Sequence, residues 1–100
     1  MAAFNHVADQ NALKALRGEI EAQGVRFGYK THIRIAAKLG RSANTIGNWL
    51  RDPDSIRLGD LRNIIRLLRL DPAIVMAALG YTRTQIRNYE KKEKEDKDDQ

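Results

Sequence analysis

Two asparagines four positions apart, Asn44 and Asn48, lie in a stretch of chain whose charges are all positive. On a helix, residues at that spacing project from the same side. A carboxamide both donates and accepts, which matches the N6 and N7 edge of adenine and discriminates between bases by about 1–3 kcal/mol. Between residues 22 and 51 the chain carries Arg26, Lys30, Arg34, Lys38, Arg41 and Arg51, with no Asp or Glu. A field of one sign favours a polyanionic partner, either nucleic acid or an anionic membrane. The same charges on a merely soluble basic protein are the plainer alternative.

Positioning such groups on a duplex needs two short helices held close together. A helix-turn-helix takes an alanine in its first helix so that the second can cross nearby, a glycine at the turn, and a branched apolar residue early in the second helix. Ala36, Gly40 and Ile46 stand at those places. Ile46, Trp49 and Leu50 then form a buried stripe, and Ala43, Asn44, Gly47, Asn48 and Arg51 are left on the outer face. Trp49 has the ring to stack on a base, but its spacing from Ile46 assigns it to the core. Ala43 can touch a thymine methyl. Gly47 costs its helix roughly 1 kcal/mol relative to alanine; close backbone approach to a ligand and drift at an exposed site account for it equally well. Phosphate contacts are expected at the helix start near Thr31 and His32, where unpaired N–H groups attract anions. They are also expected at Arg34, Arg41 and Arg51.

The surrounding pattern reads as all-α, a compact bundle of about five helices with a charged C-terminal tail. The first helix spans about 9–23, with Ala12, Leu13, Leu16 and Ile20 inward and Gly24 as its C-terminal cap. Val25 to Lys30 form a loop from which Phe27 or Tyr29 tucks against the core. The second helix runs from a Thr31 cap to Leu39, with Ile35, Ala36 and Leu39 inward. The third follows Ser42 through Leu50, and Asp52 to Ser55 make a turn. The fourth covers 58–69, with Leu58, Leu61, Ile64, Ile65 and Leu68 on one stripe. Asp71 and Pro72 open the fifth, which ends at Leu79 and Gly80. Thr82 or Thr84 can start a short further helix around Ile86 and Tyr89, and residues 90–100 are expected to be solvated and disordered. The division is an N-terminal arm over 1–8, a DNA-binding domain over 9–80 and a charged tail over 81–100.

Residues 35–49, Ile-Ala-Ala-Lys-Leu-Gly-Arg-Ser-Ala-Asn-Thr-Ile-Gly-Asn-Trp, resemble the lambda-repressor-like family of Cro, repressor and XRE-type helix-turn-helix proteins. The resemblance covers about residues 9–80. It implies that Ala43, Asn44 and Asn48 face base edges, and Thr45 and Gly47 of the same helix are expected beside them. It also implies phosphate contacts from His32, Ser42, Arg51, Ser55 and Arg57. The chain departs from the family pattern at His32, where glutamine is usual, and at Leu50-Arg51-Asp52, where Glu-x-Gly is common. The implied function is that of a phage or prophage Cro-like regulator, binding an inverted repeat of double-stranded DNA as a homodimer. Ile74, Val75, Leu79, Tyr81 and Tyr89 are the expected dimer surface. The alternative is an antitoxin that autoregulates through the same motif and holds a protein partner with its tail.

Composition narrows the remaining classes. The chain has no cysteine, so disulfides and thiolate chemistry are excluded. His6 and His32 fall on different elements, no catalytic constellation stands out, and neither an enzyme nor a metal, cofactor or small-molecule ligand is expected. The N-terminus lacks the pattern of a signal peptide, and the longest apolar run, Ala73 to Leu79, is far short of a membrane span. A cytoplasmic protein is expected. The net charge of +5 comes entirely from residues 1–80, because six basic and six acidic residues cancel in 81–100. Arg62, Arg66 and Arg69 form a second basic stripe, which is either the solvated face of the fourth helix or a further DNA or partner surface.

Overall fold

The computed structural model describes residues 9–29 and 31–98, with side chains through Lys94. The N-terminal arm and Lys30 lie outside the described residues. The described chain is all-helical: α1 (Gln10–Arg26), α2 (His32–Leu39), α3 (Ala43–Arg51), α4 (Leu58–Leu68), α5 (Pro72–Ala78) and α6 (Arg83–Asp98), with a 3₁₀ turn at Pro53–Ser55. Six helices therefore replace the five expected.

The start of α1 follows from Asp9, whose carboxylate accepts from the backbone N–H of Asn11 at 2.9 Å and of Ala12 at 3.3 Å. Such a cap satisfies donors that have no partner inside the helix. Ala12, Leu13, Leu16 and Ile20 turn inward as their spacing requires. Gly24 is not the cap. It is buried inside α1, where an added Cβ would lie 3.1 Å from Ile35 Cδ1. Its missing side chain lets α2 approach α1. The chain reverses at Gly28 instead, whose φ of 85° is the left-handed conformation that glycine adopts without strain. Beyond it Tyr29 packs against the core, while Phe27 is exposed.

Between α2 and α3 the chain turns at Gly40, also left-handed at φ 68°. The Arg41 N–H donates to the Ala36 carbonyl at 2.9 Å and closes the end of α2. Ser42 then caps α3 by accepting from the Thr45 N–H at 3.1 Å. Thr31 occupies the equivalent position before α2, but its hydroxyl makes no capping bond. Ile35 and Ala36 from α2, and Ile46, Trp49 and Leu50 from α3, join one core with Leu16, Ile20, Leu61, Ile64, Leu68, Leu70 and Val75.

On α4, Leu61, Ile64 and Leu68 are buried and Ile65 is half-buried, but Leu58 is 64% exposed. It stands in the first turn, beyond the edge of the core that its stripe follows. Arg69 ends the helix in a left-handed conformation at φ 50°. The Gln23 side-chain amide donates to the carbonyls of Leu68 and Arg69, each at 3.0 Å, and so ties the end of α4 to α1. Asp71 caps α5 through the Ala73 N–H at 3.0 Å, with Pro72 in the first turn. Val75 belongs to this chain's own core at 6% exposure and Ile74 packs against it. The expected dimer surface is thereby reduced to the exposed Leu79, Tyr81 and Tyr89. The rings of Tyr81 and Tyr89 meet edge to face, 6.1 Å between centroids.

The tail is helical through Asp98 rather than disordered beyond residue 90. Thr82 and Gln85 form a reciprocal capping box: the Gln85 N–H donates to Thr82 Oγ1 at 3.2 Å, and the Thr82 N–H donates to Gln85 Oε1 at 2.9 Å. Ile86 is buried and anchors the helix, and the Glu and Lys residues that follow are favourable helix formers. No described helix is long and apolar enough to cross a membrane.

Leu68 is 0% exposed, so Leu68→Ala should cost about 2–5 kcal/mol in unfolding free energy. Leu58→Ala should change it by no more than about 0.5 kcal/mol. Chemical denaturation of both variants checks the placement; a large loss at Leu58 would contradict it.

Candidate nucleic-acid interface

Outward residues of α3 face the start of α2 across an open groove. Its lining is Thr31, His32 and Ile33 from the α2 end, and Ala43, Asn44, Gly47 and Arg51 from α3. The positions on α3 recur every three or four residues, so a single face supplies them. Small residues make the groove: Ala43 and Gly47 leave its α3 wall low, and a Cβ added at Gly47 would meet nothing within 4 Å. The lining contains Arg51 and no carboxylate. At its α2 end, the helix N-terminus has no side-chain cap, which leaves the partial positive charge of that end uncompensated by a side chain.

Six of the residues expected to act together are thus brought to one place: Thr31, His32, Ala43, Asn44, Gly47 and Arg51. Ile33 joins them unanticipated. It is 68% exposed, and its exposure follows from the pattern already visible in α2. With Ile35, Ala36 and Leu39 inward, an isoleucine two positions before Ile35 must point away from the core.

The other expected contacts fall outside this lining. Asn48 is exposed on α3, and its side-chain carbonyl oxygen accepts from the Arg51 guanidinium. The two therefore act as a pair, with the Asn48 amide N–H groups directed elsewhere. Thr45 is half-buried, and its hydroxyl lies 2.9 Å from that of Ser42. Both hydroxyls belong to the α3 cap, so Thr45 is a structural residue before it is a base reader. Ser55 donates its hydroxyl to the Asp52 carbonyl at 2.6 Å and closes its own turn. Arg34 and Arg57 are exposed without lining the groove.

Arg41 has a role that charge counting missed. Its Nε and Nη2 donate to Asp60 Oδ1 at 3.1 and 2.7 Å. Asp60 is 9% exposed in the first turn of α4. The pair clamps the α2–α3 turn onto α4. The signal was absent from the sequence because the partners are nineteen positions apart. Two ion pairs are formed among the described residues, this one and Arg17–Glu21. The described residues contain no cluster of three or more His, Cys, Asp or Glu placed to hold a metal ion.

Comparison with known proteins gives no match: no family model, no curated protein and no solved structure is significantly similar to this chain. The likeness to lambda-repressor-like proteins rests on the residues of the motif themselves.

Two substitutions separate the structural from the surface residues. Arg41→Ala leaves the Asp60 carboxylate without its partner and should cost about 1.5–3 kcal/mol of stability, measured by denaturant unfolding. An unchanged unfolding midpoint would mean the clamp contributes nothing. Gly47→Ala adds a methyl group to open space, so it should stabilise α3 by about 0.5–1 kcal/mol. It should also weaken any ligand that needs close approach to the groove, and a stabilised variant with undiminished binding would remove Gly47 from the interface.

Proposed function

We propose that the chain binds duplex DNA sequence-specifically and regulates transcription, with α2, the Gly40–Ser42 turn and α3 acting as a helix-turn-helix. The observation that carries this reading is the groove: a carboxamide, a guanidinium and an uncapped helix end converge there with no opposing acid. Placed along the major groove, α3 presents Asn44 to an adenine edge. Ala43 and Ile33 offer apolar contact to thymine methyl groups, and the low wall at Gly47 admits the bases closely. The N–H groups at the start of α2, with Thr31 and His32, approach phosphate on one strand. Arg51 does so at the far end of α3, beside Asn48.

The exposed Leu79, Tyr81 and Tyr89 support assembly as a homodimer, because aromatic residues are favoured at the buried centre of interfaces. Two copies related by a two-fold axis would read an inverted repeat with half-sites about 34 Å apart. This is the arrangement of a Cro-like regulator, working in the same compartment as the DNA.

Selection of bound sequences from a random duplex pool tests the proposal directly and returns the operator and its symmetry together. Asn44→Ala should relax preference at one position per half-site, by about 1–3 kcal/mol between bases. Arg51→Ala should weaken binding to every sequence and lower the salt slope by about one. An unchanged sequence preference in the Asn44 variant would disprove the placement of the reading face.

A further inference from the structure

A second basic surface lies away from the groove. Arg62, Arg66 and Arg69 follow one another at spacings of four and three and are all exposed. None of the three forms an ion pair among the described residues, nor does Lys38. Tertiary packing brings Lys38 of α2 beside this stripe: it shares an open notch with Asn63 and Arg66, floored by Leu39 and Leu67. No acid lines the notch, and no residue is common to it and the groove. On α2, Ile33 of the groove and Lys38 of the notch differ by five residues, or about 140° around the helix. The two surfaces therefore open to different sides of the same helix.

Arg69 adds an independent observation. It occupies a left-handed C-terminal position that glycine would fill without strain, yet it carries a guanidinium there. Gln23 holds the preceding and own carbonyls of that turn, so the backbone that presents Arg69 is fixed from α1. The result is a cationic array in which Arg62 and Arg66 stand one turn apart on α4 and Arg69 follows at its C-terminal cap.

We propose that this array, with Lys38 and Asn63, is a second, sequence-independent site for the phosphate backbone of duplex DNA, through which one molecule bridges two duplex segments. Guanidinium groups pair bidentately with phosphate, and the Asn63 amide can donate to the same oxygens. Duplex phosphates suit the surface better than an acidic protein does. Between positions 62 and 69 every exposed residue is an arginine or an asparagine, whereas protein interfaces centre on apolar or aromatic anchors. A uniformly charged strand, in contrast, satisfies such an array in any register. The proposal takes duplex DNA as the ligand from the reading of the groove, but it does not require that groove to recognise sequence.

The test compares wild type, Arg62→Gln/Arg66→Gln/Arg69→Gln, the smaller Lys38→Gln/Arg66→Gln and the groove variant Asn44→Ala/Arg51→Ala, each checked for native helicity. Two measurements are made: affinity for a random-sequence 40-base-pair duplex against salt, and recovery of a labelled duplex on beads carrying a second duplex. The triple variant should lower the salt slope by about three and lose most of the bridging. Lys38→Gln/Arg66→Gln should lower the slope by about two. The groove variant should lower the slope by only about one and weaken bridging, because a bridge needs both surfaces. Wild-type slope and bridging in both α4 variants would overturn the proposal, as would polyglutamate competing as well as duplex DNA of equal charge. Should selection return no preferred sequence while the α4 variants still lose slope and bridging, the reading of the groove falls and this surface stands.

Discussion

α2 and α3 are eight and nine residues long, too short to hold their shape in water by themselves. Everything the groove can do depends on their being docked together on a common core. Ile35 and Ala36 on one side, and Ile46, Trp49 and Leu50 on the other, fix the pair against α1 and α4. Fully burying a large aliphatic side chain contributes about 1.5–3 kcal/mol, far more than any cap or surface contact in the pair. The close approach that makes this packing possible is set by two small residues. Gly24 lets Ile35 reach α1, and Ala36 leaves room where α2 faces α3.

Polar interactions then lock what burial brings together. Ser42 and Thr45 start α3, and Arg41 fastens the preceding turn to Asp60 on α4. Gln23 fastens the end of α4 to α1. The Arg41 and Gln23 contacts join elements across the body, while the Ser42 cap acts within α3. This sorts a basic surface that looks uniform in the sequence. Arg41 is committed to an internal partner and Arg51 to its neighbour Asn48, while Lys38, Arg62, Arg66 and Arg69 have no ion-pair partner among the described residues. The Arg41 charge, offset by Asp60, contributes less to an external field, whereas Arg51 is bonded only to a neutral amide and keeps its full charge, so the groove and the α4 notch are better described by these individual states than by the net charge of +5.

α6 shows how local signals can outweigh composition. Its charge density points to a solvated chain, yet the Thr82–Gln85 capping box and one buried residue, Ile86, suffice to start a helix that continues to Asp98. Propagation of a helix is far easier than its nucleation. Once the first turn is capped and anchored, the Glu and Lys residues extend it. The helix carries Tyr89 back against Tyr81, beside the exposed Leu79 at the end of α5.

The all-helical class, the inward residues of α1, the turn at Gly40, the cap at Ser42 and the core position of Trp49 were legible in the sequence. Each follows from a periodicity or a conformational preference that acts over a few residues. The same is true of the outward set Ala43, Asn44 and Gly47, because the buried stripe of a helix also determines its opposite face. What lay beyond the sequence depends on partners distant in the chain. Gly24 resembles a cap until Ile35 is seen to occupy its missing side chain's place. Leu58 fits an apolar stripe until the core is found to end before it, and Val75 becomes internal once α5 packs on α1. Arg41 resembles a free cation until Asp60 stands beside it. Local physics determined the helices and their faces; only tertiary packing decided which side chains had already found a partner and which were left for one outside.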